Sequence, residues 1–190
     1  KKLVPVLIDP KCTSAKLLHP SVIIDARMLK QAPEKIGYSP SLYIGLGPGF
    51  IAGQNCQAVI ETRRGHTMGR VYWEGAPELD TGQPEGDPRR VLRSPADGTL
   101  LARATIGQVL EEGEPIAEVD GKAVLAPFRG VLRGLLHPGL QVSEGWKIGD
   151  LDARAEPMLC NMVSDKSLAV GGGVLEAILG KPELRGMLWS

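Results

Sequence analysis

Four groups of residues in this 190-residue chain have the types and spacing that chemistry uses. Arg63, Arg64 and His66 stand together in the run AVIETRRGHTMGRV, residues 58–71. Two planar guanidiniums and an imidazole can clamp a phosphate or another oxyanion, and a solvated loop is the competing reading. Upstream, Gly45, Gly47, Gly49 and Phe50 follow an apolar run, and glycines there let backbone amides approach an anion closely. Glu61 closes the next apolar run, as the acidic residue of a dinucleotide fingerprint does. Only residues 50–57 separate that loop from that run, too few for the helix a parallel crossover uses, so a tight structural turn is the alternative. Gly171, Gly172 and Gly173 would each cost about 1 kcal/mol relative to alanine inside a helix. Either a neighbour packs on that backbone, or the triplet is a loop whose amides hold an anion. Cys160 precedes Ser164-Asp165-Lys166, and a cation or a helix start close in sequence activates a thiol as a nucleophile. Core packing is the competing role of a cysteine among Met158, Leu159 and Met162.

The nucleophile-elbow and zinc-protease motifs are missing, and no nucleophile lies close in sequence to a base. Cys12, Cys56 and Cys160 are too far apart for a disulfide framework or a zinc site. Lysine plus arginine equals aspartate plus glutamate, 22 each, with no basic run, which argues against nucleic acid and a membrane surface as partners. With no apolar stretch of spanning length and no leader-like start, the chain is expected to be cytoplasmic. An oligomer is left open.

The elements that would position these residues are short. Only 4% of residues are aromatic while 24 are Gly and 15 are Pro, a balance that favours brief strands and turns over long helices. Residues 3–8 and 21–25 are unbroken apolar runs, as in strands covered on both faces of a parallel sheet. Residues 42–46, 58–62 and 69–73 read as further strands, Ser164-Asp165 as a helix N-cap pair, 174–179 as a helix, and 75–90 as a linker or lid.

Residues 94–151 carry one motif twice. Pro95, Gly98, Gly107, Gly113 and Ile116 return as Pro127, Gly130, Gly139, Gly145 and Ile148, all at one offset. Two interlocking copies would make one small core. This segment resembles the barrel-sandwich hybrid of biotinyl and lipoyl carrier domains, which implies a carrier lysine near the turn between copies. Here Gly121 separates Asp120 from Lys122, and Asp-Gly suits a type I′ hairpin. A carrier acylated on Lys122 is one alternative function. A dinucleotide-binding enzyme fragment is another.

Across most of its length the chain also resembles the accessory proteins of selenium-dependent molybdenum hydroxylases. The resemblance lies in IDARMLK (24–30), IGLGPGFIAG (44–53), AVIETRRGHTMGRV (58–71), VLRSPADG (91–98), GVLRGLL (130–136), KIGDLDAR (147–154) and SDKSLAVGGGVLEAIL (164–179). It implies a role in hydroxylase maturation, with the molybdenum cofactor (molybdopterin) or a selenium species as cargo. The hydroxylase and selenium-delivery proteins are the implied partners, and Cys160 a thiol that could hold selenium in passing. Whether such a protein turns over a substrate stays open. The expected architecture is α/β plus β: a Rossmann-like remnant over 1–90, a barrel-sandwich hybrid over 91–152, and a segment with a helix over 153–190.

Overall fold

The computed structural model describes residues 3–79 and 86–187. They are mixed α and β, mostly sheet, and fall into two compact units: Lys1–Thr81 with Asp165–Ser190, and Gly82–Ser164. The expected separate segment 153–190 is therefore divided. Residues 157–160 form a 3-10 turn beside the repeat, where the Cys160 thiol donates to the Leu132 carbonyl, while the helix beyond packs on the first sheet. Part of the 75–90 linker lies outside the described residues.

The first unit has a one-turn helix α1 (Ala15–Leu18) and a four-stranded sheet in the order β1 (Val22–Asp25), β2 (Leu42–Leu46), β3 (Ala58–Ile60), β4 (Val71–Tyr72). The first three strands run parallel, and β4 returns antiparallel on β3. All five residues of β2 are buried, as the unbroken apolar run requires. Alternation then divides the core. Leu42, Ile44, Leu46, Ala58 and Ile60 face α2 (Asp165–Leu179), while Tyr43 and Val59 face Phe50, Ala52 and Cys56. Burying a side chain such as Leu42, Ile44 or Phe50 stabilises by about 1.5 to 3 kcal/mol each.

Three expectations change here. Residues 3–8 are not a covered strand: Leu3, Val4, Val6 and Ile8 are more than four-fifths exposed. The strand β2 does reach a parallel partner without a helix, because the connection folds back on itself through the Ala52 and Cys56 bridge and plugs the sheet with Phe50. Finally, Gly171 to Gly173 lie inside α2, which begins at Asp165 and not at Val174.

In the second unit the two copies exchange strands. One sheet has the order β5 (Val91–Arg93), β12 (Lys147–Asp152), β10 (Gly130–Leu135), β7 (Val109–Leu110). The other has the order β11 (Gln141–Val142), β6 (Gly98–Ala102), β8 (Pro115–Val119), β9 (Lys122–Leu125). Each copy keeps its first and third strands together and lends its short middle strand to the other. Hydrogen bonds repeat at the same offset: Gly107 N to Leu132 O with Leu132 N to Gln108 O is matched by Gly139 N to Leu100 O with Leu100 N to Leu140 O. One core results, with Leu100, Ile116 and Val119 against Leu132, Ile148 and Leu151, and neither sheet closes into a barrel. The turn between copies has Asp120 at φ 49° and Gly121 at φ 71°, the positive pair a type I′ hairpin needs, and leaves Lys122 exposed at the start of β9.

Candidate functional site

In an open parallel sheet the loops at the carboxyl ends of the strands are where ligands bind. Here those ends are Asp25, Leu46 and Ile60. The loop after β2 lies at that edge, yet its amides are already used. Gly47 N donates to Ile60 O at 3.2 Å, Gly49 N to Leu29 O at 2.7 Å, and Phe50 N to Gly47 O at 3.3 Å. Ile51, Ala52 and Gly53 donate to Asn55 Oδ1, Gly75 O and Cys56 O. No anion cradle remains. The glycines serve close approach instead: a Cβ on Gly45 would sit 2.1 Å from the Phe50 ring, and one on Gly49 would sit 2.3 Å from Gln31 O.

Arg63, Arg64 and His66 follow β3 and are exposed, but the arginines have carboxylate partners. Arg63 Nη1 lies 2.7 Å from Glu78 Oε2, and Arg64 makes a forked pair with Asp165 at the start of α2. In this structure the two guanidiniums form ion pairs that fasten the loop. Glu61, 1% exposed, is not a ribose ligand. Its carboxylate accepts the backbone amides of Arg63 and Glu78, both at 2.7 Å, and so ties the two ends of this loop together. The two amide donors replace water around the buried carboxylate.

The glycine triplet is likewise corrected. Its amides lie in the middle of a fifteen-residue helix and belong to the helical ladder, so they cannot hold an anion. A Cβ on Gly173 would come within 2.0 Å of Gly69 O, whereas Gly171 and Gly172 face open space. The packing alternative accounts for Gly173. Cys160 is partly buried and donates to Leu132 O at 3.6 Å in the second unit, while Lys166 and the helix start belong to the first. Cys56 is buried, and that burial pushes its thiol up; Cys12 is partly exposed with φ 54°.

A cluster that the sequence reading left unassigned lies at the end of β1. Asp25 is 8% exposed and accepts from Arg27 Nε at 2.9 Å, Arg27 Nη2 at 2.6 Å and the Tyr43 hydroxyl at 2.9 Å. Burial pushes this carboxyl up, and the bonds from Arg27 and Tyr43 more than offset it, so the group is held below the usual carboxylate range. The same burial, with the Asp25 carboxylate beside it, raises Tyr43. The arginine clamp itself is local, for Asp152 with Arg154 and Asp87 with Arg89 repeat it. What distinguishes Asp25 is the buried tyrosine and the cleft that opens beside Arg27. The available signal was an acidic residue closing an apolar strand with arginine two residues on.

No family model matches the chain. It is 42% identical over 180 residues, 93% of its length, to "Uncharacterized protein YqeB" of Escherichia coli (strain K12), and spans 33% of that protein. The chain thus covers about a third of the length of the curated relative it matches. Among solved structures it is similar to an aspartoacylase family protein of Mesorhizobium loti, at 15% identity and TM-score 0.31 over 33% of this chain and 22% of that one. A likeness that low carries no argument. Among the described residues no helix is long and apolar enough to cross a membrane.

Proposed function

We propose that the chain is part of a cytoplasmic accessory protein that matures selenium-dependent molybdenum hydroxylases, with the molybdenum cofactor or a selenium species as cargo. One observation carries this reading: four of the resembling segments touch one another in the first unit, the last of them about a hundred residues beyond the others. Gly49 of 44–53 bonds to Leu29 of 24–30, and Gly47 bonds to Ile60 of 58–71. Gly69 of 58–71 lies against Gly173 of 164–179, and Arg64 pairs with Asp165 of the same two segments. Residues that specify each other's backbone approach in this way make one scaffold, so their joint presence supports membership more strongly than any single motif. The finer architecture belongs to the same proposal. The three parallel strands with a helix on one face are the Rossmann-like remnant, and the strand exchange supports a barrel-sandwich hybrid in the second unit. The hydroxylase and selenium-delivery proteins are the proposed partners.

The loop 45–53 has no free amides for the cofactor's phosphate. The test is genetic and analytical. In a host whose hydroxylase needs selenium, deleting the gene that encodes this chain should lower hydroxylase activity and the selenium content of the purified hydroxylase, while its polypeptide level stays constant. Unchanged activity and selenium content would overturn the reading.

A further inference from the structure

We propose that the cleft beside the carboxyl end of β1 binds a small organic oxyanion, a phosphate ester or a carboxylate, with the Arg27 guanidinium as its main contact. The cleft has a volume of about 450 Å³, and its wall includes Lys11, Cys12, Ile23, Arg27, Lys35 and Tyr43. Arg27 is half exposed, and its Nε and Nη2 are bound to the buried Asp25. The Nη1 edge lies outside those bonds. A guanidinium fixed on one side by a buried carboxylate loses little freedom when its other side takes a ligand, and its planar fork suits an oxyanion.

The wall carries three cations, Lys11, Arg27 and Lys35, and three carboxylates, Asp9, Asp25 and Glu34, so the selection of an anion comes from the placed Arg27 Nη1 edge and the two ammoniums and not from a net charge. Asp9 accepts from Thr13 N at 2.9 Å, Thr13 Oγ1 at 2.8 Å and Ser14 N at 2.7 Å, and Asp25 is filled by Arg27 and Tyr43. Lys11 and Lys35 add two exposed ammoniums, against which Glu34 sets one carboxylate at the wall. The volume exceeds that of a bare ion, and Ile23, Ile36 and the Tyr43 ring offer apolar wall to an organic body. This site is separate from the loop 45–53, and its failure would leave the maturation reading untouched.

The full chain would be titrated by calorimetry at low salt with phenyl phosphate, benzoate and inorganic phosphate. In parallel, alkylation of Cys12 by iodoacetamide would be followed by peptide mass, with Cys160 of the other unit as the internal control. Binding of phenyl phosphate with Cys12 protected and Cys160 unprotected assigns a phosphate ester; the same result with benzoate assigns a carboxylate. Lys11→Gln with Lys35→Gln, both at exposed positions, should weaken binding about tenfold, and Glu34→Gln should tighten it. Arg27→Lys keeps the charge but loses the fork, and should weaken binding further. Absence of heat and of protection with all three anions, equal slowing of Cys12 and Cys160, or unchanged affinity in the lysine double variant would each overturn the proposal.

Discussion

The repeated turn glycines of the second unit and the packed glycines of the first work in opposite ways. In the second, the repeated pair Gly107 and Gly139 sit at φ 93° and 90° with nothing within 4 Å of a would-be Cβ, so they supply backbone freedom at turns. In the first, Gly45 and Gly173 have ordinary φ but no room, since a Cβ would meet Phe50 at 2.1 Å or Gly69 O at 2.0 Å. Turn glycines leave a periodic trace because turns recur with the strands. Contact glycines leave none, because each answers to a neighbour distant in sequence. The difference teaches why one unit reads as a pattern and the other only as a set of motifs.

The strongest way to break this comparison is Gly173→Ala set beside Gly171→Ala. Both positions are mid-helix, and alanine gains about 1 kcal/mol of helix propensity at either. At Gly173 the obstacle is backbone, which cannot swing aside, so overpacking should leave a net loss of about 2 to 3 kcal/mol. At Gly171 the gain should survive. Thermal unfolding checks the signs, and hydrogen exchange in β2 and in β10 shows which unit responds. Equal effects at the two positions would show that contact with Gly69 does not decide the glycine.

Gly130→Ala tests a crowded glycine within the second unit, where Gly149, with a would-be Cβ 2.7 Å from Gly134 O, is another. Gly98, the counterpart of Gly130, has φ 151°, and a Cβ there would keep 3.3 Å from Val119 and Asp120, whereas at Gly130 a Cβ would meet Asp152 O at 2.8 Å. Gly130 lies outside the left-handed region, so the penalty there is one of space. A loss of about 2 kcal/mol is expected from chemical denaturation. A neutral result would mean β10 and β12 can separate slightly at no cost.

How much could be read beforehand follows from the same contrast. The strand 42–46 and the two copies were legible, since an unbroken apolar run and a constant offset are local facts. The helix-free crossover was not, because it depends on Phe50 filling the space beside Gly45. Residues 3–8 carry the apolar signal of a strand but pair with no strand among the described residues, and pattern alone does not supply one. At the candidate site, Arg63, Arg64 and His66 were located on the correct loop, but their partners Glu78 and Asp165 lie 15 and 101 residues away and pairing is invisible to spacing. Asp25 and Arg27 were local enough to notice; Tyr43 made them a cluster only through the register of β1 and β2.

A smaller effect separates the buried clamp of the first unit from its exposed copy. Asp25 has a folded-state pKa below its unfolded value, so its contribution is present above the ordinary carboxylate range near ~3.9 and is lost as pH falls through the lowered value. Asp87 with Arg89 is lowered too, but lies on the surface and should contribute little that can be measured. Asp25→Asn should cost about 1 kcal/mol at neutral pH and flatten the acid limb of the stability curve. Asp87→Asn should leave that limb in place, and a matched flattening by both would show that burial beside Tyr43 adds nothing.

The smallest effect concerns Arg63, and it asks whether the loop 61–78 is held by its arginine or by its buried glutamate. The pair of Arg63 with Glu78 has side chains 46% and 42% exposed, so water and salt screen it. Glu61 holds the same two residues through their backbone amides from a buried position, and it needs no charge on residue 63 to do so. Arg63→Ala should therefore change stability by less than about 0.5 kcal/mol and leave hydrogen exchange at the Arg63 and Glu78 amides protected. Glu61→Gln keeps one acceptor but presents a donor to an amide hydrogen, so protection at one of those amides should fall. If Arg63→Ala freed both amides, the ion pair would be the fastening and the buried carboxylate only its companion.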